Sequence, residues 1–218
     1  INFSNKTIRS MTTTSKESRN KIWQQLASTQ LCAVTKGHSL EEVQKLCADL
    51  PDLKIIGENR WPDCEEKFRT LNKLQRHFIG PLQSNKIRKV LPLIDVIQSV
   101  DSLELLKKIS TVATELHKTI DFCFQINVSA DPLKQGIDPA DLQALIEQAK
   151  QFKNCQLIGL MTIGEQSAPE QRRQYYRKLK QIFDRYPCLT TLSMGMSDDY
   201  QIAIEEGATM VRIGSALF

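Results

Sequence analysis

No two cysteines in this sequence stand at C-x-x-C spacing: Cys32, Cys47, Cys64, Cys123, Cys155 and Cys188 are scattered singly. That spacing excludes the usual zinc-knuckle and dithiol motifs, and free reduced thiols are expected. The three histidines, His38, His77 and His117, are equally dispersed, so no metal site is expected. Long blocks of one charge are missing too. The formal net charge is only +4, and Lys and Arg interleave with Asp and Glu, which argues against a nucleic-acid partner. No apolar run approaches the roughly 20 residues that span a bilayer. The segment 1–21 is polar and lacks the apolar centre of a secretory signal. A cytoplasmic globular protein without a membrane partner is the expectation that remains.

Hydrophobic residues make up 41% and charged residues 25%, the balance of a chain that buries a core. Eight short runs rich in apolar and β-branched residues recur at 31–35, 53–56, 76–79, 95–98, 121–127, 156–163, 190–192 and 209–213. Segments of helical period separate them, such as Leu40, Val43, Leu46, Cys47 and Leu50, or Leu142, Leu145, Ile146, Ala149 and Phe152. Ser39 with Glu42 and Asp101 with Glu104 fit capping boxes, and Asp138-Pro139 reads as a cap with proline at the first helical position. Strands flanked by helices on both sides form parallel sheets, and eight of them favour closure into a single (β/α)₈ barrel over an open doubly wound sheet. One domain over 1–218 is predicted. The eighth strand ends near residue 218, so the helix that covers the barrel there is assigned to 15–28, with 1–14 loosely attached.

In such barrels the chemistry sits after the C-terminal ends of the strands. That rule selects Thr35-Lys36-Gly37, Gly57-Glu58-Asn59, the stretch 80–86, the stretch 193–197 and Gly214-Ser215. Lys36 directly follows an apolar strand and aims an amine at the barrel mouth, where lowered basicity would make it a nucleophile toward a carbonyl. The loops after strands seven and eight are rich in Gly and Ser, which suits phosphate held by amides and hydroxyls. Ser197-Asp198 could equally be a helix cap. An amine facing a phosphate cradle describes a site for a phosphorylated aldehyde. Pyridoxal 5′-phosphate (PLP) and a phosphosugar in a Schiff-base aldolase both fit.

The motifs 33–36, 57–59, 77–80 with 82–86, 99–102, 125–129 with 134–136, 159–163 and 192–218 resemble, in order and over nearly the whole chain, the YggS/PROSC group of PLP homeostasis or PLP-binding proteins. That group is similar to the barrel domain of alanine racemase. The resemblance implies that Lys36 carries PLP as a Schiff base, that Asn59 lies beside the ring, and that Ser193, Ser197, Gly214 and Ser215 surround the phosphate. Arg212 looks like a further ligand, because an arginine inside an apolar strand needs an anionic or hydrogen-bonding partner. Its first assignment is the phosphate and its second the pyridine nitrogen. A role for Lys134 in secondary contact with PLP stands beside the plainer reading of a loop charge, and Lys86 and Lys89 read as helix-surface charges.

The resemblance implies a PLP carrier or buffer in the cell, a monomer that hands cofactor to PLP-dependent apo-enzymes, with no catalytic residue assigned. Alanine racemase-like enzymes draw a second base from another domain and a partner subunit, and one barrel leaves no place for it. A racemase-like PLP enzyme is the alternative. The sequence departs from the commoner pattern at Thr35, at Gly37-His38 and at Arg60-Trp61-Pro62, of which the last leaves the shape after Asn59 open.

Overall fold

The structure, a computed structural model, describes residues 16–129, 131, 133–164 and 167–218. The expectation for 1–14 lies outside these residues. Eight parallel strands form a closed barrel: β1 (Gln30–Val34), β2 (Ile55–Glu58), β3 (Gln75–Phe78), β4 (Val96–Val100), β5 (Ile120–Gln125), β6 (Cys155–Met161), β7 (Thr191–Ser193) and β8 (Met210–Ile213), with β1 paired to β8. Each matches one of the apolar runs within a few residues. The open-sheet alternative is thereby excluded.

Helices α1 (Lys16–Gln25), α2 (Leu40–Asp49), α3 (Glu65–Thr70), α4 (Ile87–Val90), α5 (Leu103–Glu115), α6 (Leu142–Ala149), α7 (Pro169–Phe183) and α8 (Tyr200–Glu205) alternate with the strands. Alternation within the strands separates two environments. Leu31, Ala33, Ile56, Phe78, Ile97, Phe122, Phe124, Leu160, Leu192, Val211 and Ile213 face outward into the main core between barrel and helices. Cys32, Ile55 and Met210 form a small separate cluster inside the barrel, with Ile79 packed on it. Among the described residues, no helix is long and apolar enough to cross a membrane.

The predicted covering helix is present as α1. Its Arg19 is buried, donates from Nε to the carbonyl of Leu217 at 2.6 Å and pairs with Asp49, while Gln25 accepts from Tyr200 Oη. These bonds fasten α1 across the chain segment that follows β8.

Two helix starts differ from expectation. The capping box at Ser39 and Glu42 forms as read, each side chain bonded to the other residue's backbone N–H. In α5, however, Ser102 rather than Asp101 caps, its hydroxyl accepting from Leu105 N–H at 3.3 Å. At 138–141 the chain makes a turn instead of a helical start: Asp138 Oδ1 accepts from Ala140 N–H, and α6 begins only at Leu142. A short-range side-chain bond to the backbone competes there with helix initiation and wins.

Candidate functional site

A cavity of about 530 Å³ opens at the C-terminal ends of the strands. Six of the seven residues assigned from the sequence line it: Lys36, Asn59, Ser197, Arg212, Gly214 and Ser215. Ser193 does not. It is fully buried one level deeper, and its hydroxyl is engaged with Arg212 and Gln98.

Lys36 stands exposed in the turn after β1. That turn is held from below by a lysine that sequence reasoning missed. Lys67, on α3, donates to the carbonyls of Thr35 at 2.8 Å and His38 at 3.2 Å and forms an ion pair with Glu58, whose Oε1 also accepts from Thr35 Oγ1 at 2.6 Å. Glu58 is completely buried at the end of β2, where an unpaired carboxylate would be very costly. A carboxylate closing an apolar strand was the signal that a cation had to be nearby. On the other side of the turn, His38 stacks on Phe218, with ring centroids 3.8 Å apart.

Asn59 follows Glu58 and forms one wall. The segment after β3 passes so closely that a Cβ on Gly80 would lie 2.3 Å from the Asn59 carbonyl oxygen, so only glycine allows this approach. Asn59 Oδ1 is buried without a hydrogen-bond partner. A buried polar atom of this kind calls for a partner.

Arg212 occupies the floor. The residue is 4% exposed, and no carboxylate among the described residues comes within ion-pair distance of its guanidinium. Nη1 donates to Ser193 Oγ and Nη2 to the Thr162 carbonyl, both at 2.7 Å. Burial holds the arginine below its ordinary basicity, opposed by the negative ends of Tyr176, Cys32 and Asp199. Five N–H donors are available on a guanidinium, so donors remain for something in the cavity.

Ser197, Gly214 and Ser215 make the rim, where Gly214 N–H donates to Ser197 Oγ at 3.2 Å. Neither Ser197 nor Asp198 caps α8. Asp199 takes the cap position, and its carboxylate accepts from Met196 N–H at 2.7 Å and from Tyr176 Oη at 2.7 Å. Ser197 is thus free of the capping role, and Asp198 sits exposed on the cavity rim.

The other lysines lie apart. Lys134 lines a different cavity, of about 220 Å³, together with Arg172 and Tyr175. Lys86 is half-buried and lines a third with Arg60 and Trp61, so it is not a plain surface charge, whereas Lys89 is exposed on α4.

These features fit PLP on structural grounds. There is an amine on one side, an orphaned amide oxygen in the wall, a buried cation with spare donors on the floor, and hydroxyls with a backbone amide at the rim. Comparison with known proteins points the same way. The family model for the N-terminal domain of alanine racemase matches residues 16–218. A pyridoxal phosphate homeostasis protein of Pseudomonas aeruginosa is 40% identical over 88% of this chain and 84% of its own. This chain belongs to the pyridoxal phosphate homeostasis family. Its Aquifex aeolicus relative of the same name is 38% identical over 76% of each chain. Among solved structures, PipY of Synechococcus elongatus PCC7942 with PLP bound superposes at a TM-score of 0.84, with 34% identity over 93% of this chain and 99% of PipY. Alanine racemase of Clostridium difficile, at 19% identity and a TM-score of 0.72, shares the barrel, and the chain spans 56% of it.

Proposed function

We propose that this protein binds PLP through Lys36 and holds it in reserve for PLP-dependent apo-enzymes, as a single-barrel monomer of the cytoplasm without catalytic turnover of its own. One observation carries the reading. The cavity brings together a primary amine, a buried guanidinium with no carboxylate partner among the described residues, and a rim of hydroxyls and a backbone amide. The names of the relatives, and the PLP bound to PipY, support the same cofactor.

Bound there, PLP supplies an aldehyde carbon open to covalent capture by an amine. Lys36 is that amine, presented on a turn that Lys67 and Glu58 keep in place. Ser197, Gly214 and Ser215 hold the phosphate with hydroxyl and backbone donors. Asn59 borders the ring.

Of the two roles for Arg212, the level at which it lies favours the pyridine nitrogen. On β8 it is two residues, and so roughly 6–7 Å, below Gly214, while the phosphate cradle lies at the rim. An arginine donating to that nitrogen keeps it unprotonated and weakens the ring as an electron sink. The chain would then protect the aldehyde without promoting carbanion chemistry. Apart from Lys36 and Arg212, the titratable groups lining the cavity among the described residues are His38 and Asp198. His38 is stacked on Phe218 with Nδ1 3.6 Å from Glu42, and Asp198 stands exposed on the rim, so neither is held as a base opposite the lysine.

The test compares purified protein with Lys36→Ala. With PLP added, the wild type gains visible absorbance that borohydride traps onto the chain, and the variant gains none. Equal absorbance in the two would discard Lys36. Racemisation or transamination of amino acids at an ordinary enzymatic rate would replace the carrier with the racemase-like enzyme.

A further inference from the structure

The barrel interior beneath the site carries an unbroken chain of polar side chains where such barrels are ordinarily packed with branched apolar residues. From Arg212 Nη1 it runs to Ser193 Oγ at 2.7 Å, from Ser193 to Gln98 Oε1 at 2.6 Å, and from Gln98 Nε2 to His77 Nδ1 at 2.6 Å. It crosses the barrel from β8 and β7 to β4 and β3. Gln98 Nε2 also reaches Met210 Sδ on the opposite wall at 3.2 Å. All four members are buried.

Its direction is dictated by one end. A guanidinium has no acceptor, so Ser193 must accept from Arg212 and spend its single O–H on Gln98 Oε1. The Gln98 amide can then offer only N–H to His77. Nδ1 must accept, and the imidazole proton is confined to Nε2. Turning the amide over would leave the Ser193 O–H without an acceptor, its oxygen then receiving N–H from both Arg212 and Gln98. Protonating Nδ1 would set two N–H groups head to head at 2.6 Å. Burial already disfavours the imidazolium, lowering the His77 pKa to about 4 against the pull of Asp95. The free Nε2 belongs to a residue that lines a polar cavity at the other mouth of the barrel, beside Gln75, Asp121 and Thr191.

We infer that Gln98 and His77 are positioning residues of the cofactor site: they touch no ligand, but fix the Ser193 hydroxyl as an acceptor and so aim the remaining donors of Arg212 into the cavity. This inference rests on the PLP reading above. It predicts that two residues from the far side of the barrel set how well Arg212 meets its acceptor.

The experiment has a PLP-free and a PLP-dependent arm. In long-range nitrogen–proton correlation spectra of the wild type without PLP, His77, one of only three histidines, shows the Nε2–H tautomer and no protonation at neutral pH. Arg212→Met, which frees Ser193, brings in the Nδ1–H form. In the second arm, PLP titrations followed by absorbance give Gln98→Leu and His77→Leu an affinity lowered about tenfold, the scale of one misdirected hydrogen bond to a charged group. His77→Gln, whose side-chain oxygen can accept from Gln98, recovers affinity to within about threefold. An Nδ1–H tautomer in the wild type would overturn the inference, and needs no variant to fold. Unchanged affinity in folded Gln98→Leu and His77→Leu, with binding lost in Arg212→Met, would overturn it and leave the function standing. PLP bound equally well by Arg212→Met would overturn the place of Arg212 in the site itself.

Discussion

Lys67 Nζ lies 2.8 Å from the carbonyl oxygen of Thr35, the residue before Lys36, and pairs at the same time with the buried carboxylate of Glu58. The ion pair sits where neither charge reaches water, with side chains 6% and 0% exposed. Its value is therefore positional. A pair of this kind adds little net stability over an apolar packing, yet removal of one partner strands the other.

Lys67→Met is accordingly expected to lower unfolding free energy by about 3–5 kcal/mol in urea titrations. The double variant Lys67→Met with Glu58→Gln should recover a large part of that loss, because no charge is left stranded. The double variant should still capture PLP more slowly than the wild type, since the turn carrying Lys36 has lost the donors to Thr35 and His38. Equal losses in single and double variants would show that the carbonyl bonds, not the charge pair, dominate.

The loop between β7 and α8 depends on Gly195. Its φ of +91° lies in the left-handed region, and a Cβ there would come 2.5 Å from the Ala203 Cβ. Gly195→Ala must shift α8 against the loop that delivers Ser197 to the rim. A loss of about 1–3 kcal/mol in stability is expected, together with weaker phosphate contact and a lower PLP affinity. Thermal denaturation and PLP titration on the same sample would separate the two effects. Unchanged PLP affinity would mean that Ser197 is not a phosphate ligand.

Thiol reactivity should be sharply uneven. Cys188 is exposed, Cys47 half-buried, and the other four buried. Burial pushes Cys32 up to about 12, Cys155 up to about 11 and Cys64 up to about 12, so none of them offers thiolate at neutral pH. An aromatic disulfide reagent is expected to modify Cys188 first in the folded protein, with Cys188→Ser removing the fast phase. The interior thiols Cys32 and Cys123 should react only on unfolding.

The barrel was legible in the sequence because each strand is a short apolar run set off by a helix of clear period, a signal that belongs to one segment at a time. Helix starts were less so. Asp101 and Ser102 are both good caps, and only the observed bond to Leu105 chooses between them. Strand ends selected Lys36, Asn59, Ser197, Gly214 and Ser215, whereas Arg212, inside β8, was reached through the family resemblance and the cost of burying an arginine in an apolar strand. Ser193 was misjudged by one level: it belongs to β7 itself, and alternation turns it into the interior beside Arg212. Lys67 and Gln98 carry no motif, and His77 opens the stretch 77–80 without any role being legible there. They matter through partners on other strands and helices, and such pairings are set by closure of the barrel.

His77 gives the clearest pH signature. In the unfolded chain its pKa is the ordinary 6.5, and in the folded protein burial lowers it to about 4. The group favours the folded state fully above 6.5, where both states hold a neutral ring. As pH falls from 6.5 toward 4 the unfolded chain takes up a proton that the folded one refuses, and that stability is lost. The full difference is on the order of 3 kcal/mol. Asp95, held low by Arg76 despite its own burial, loses its contribution only at more acid pH, where carboxylates protonate, so the two windows separate. His77→Gln keeps an acceptor for Gln98 and cannot titrate. Its urea midpoint should fall much less than that of the wild type between pH 6.5 and 5.5, above the range where carboxylates such as Glu42 and Glu206, held low in the fold, begin to lose their own contribution. If both decline in parallel, His77 is not the residue that titrates, and the neutral ring required by the Arg212 chain loses its independent support.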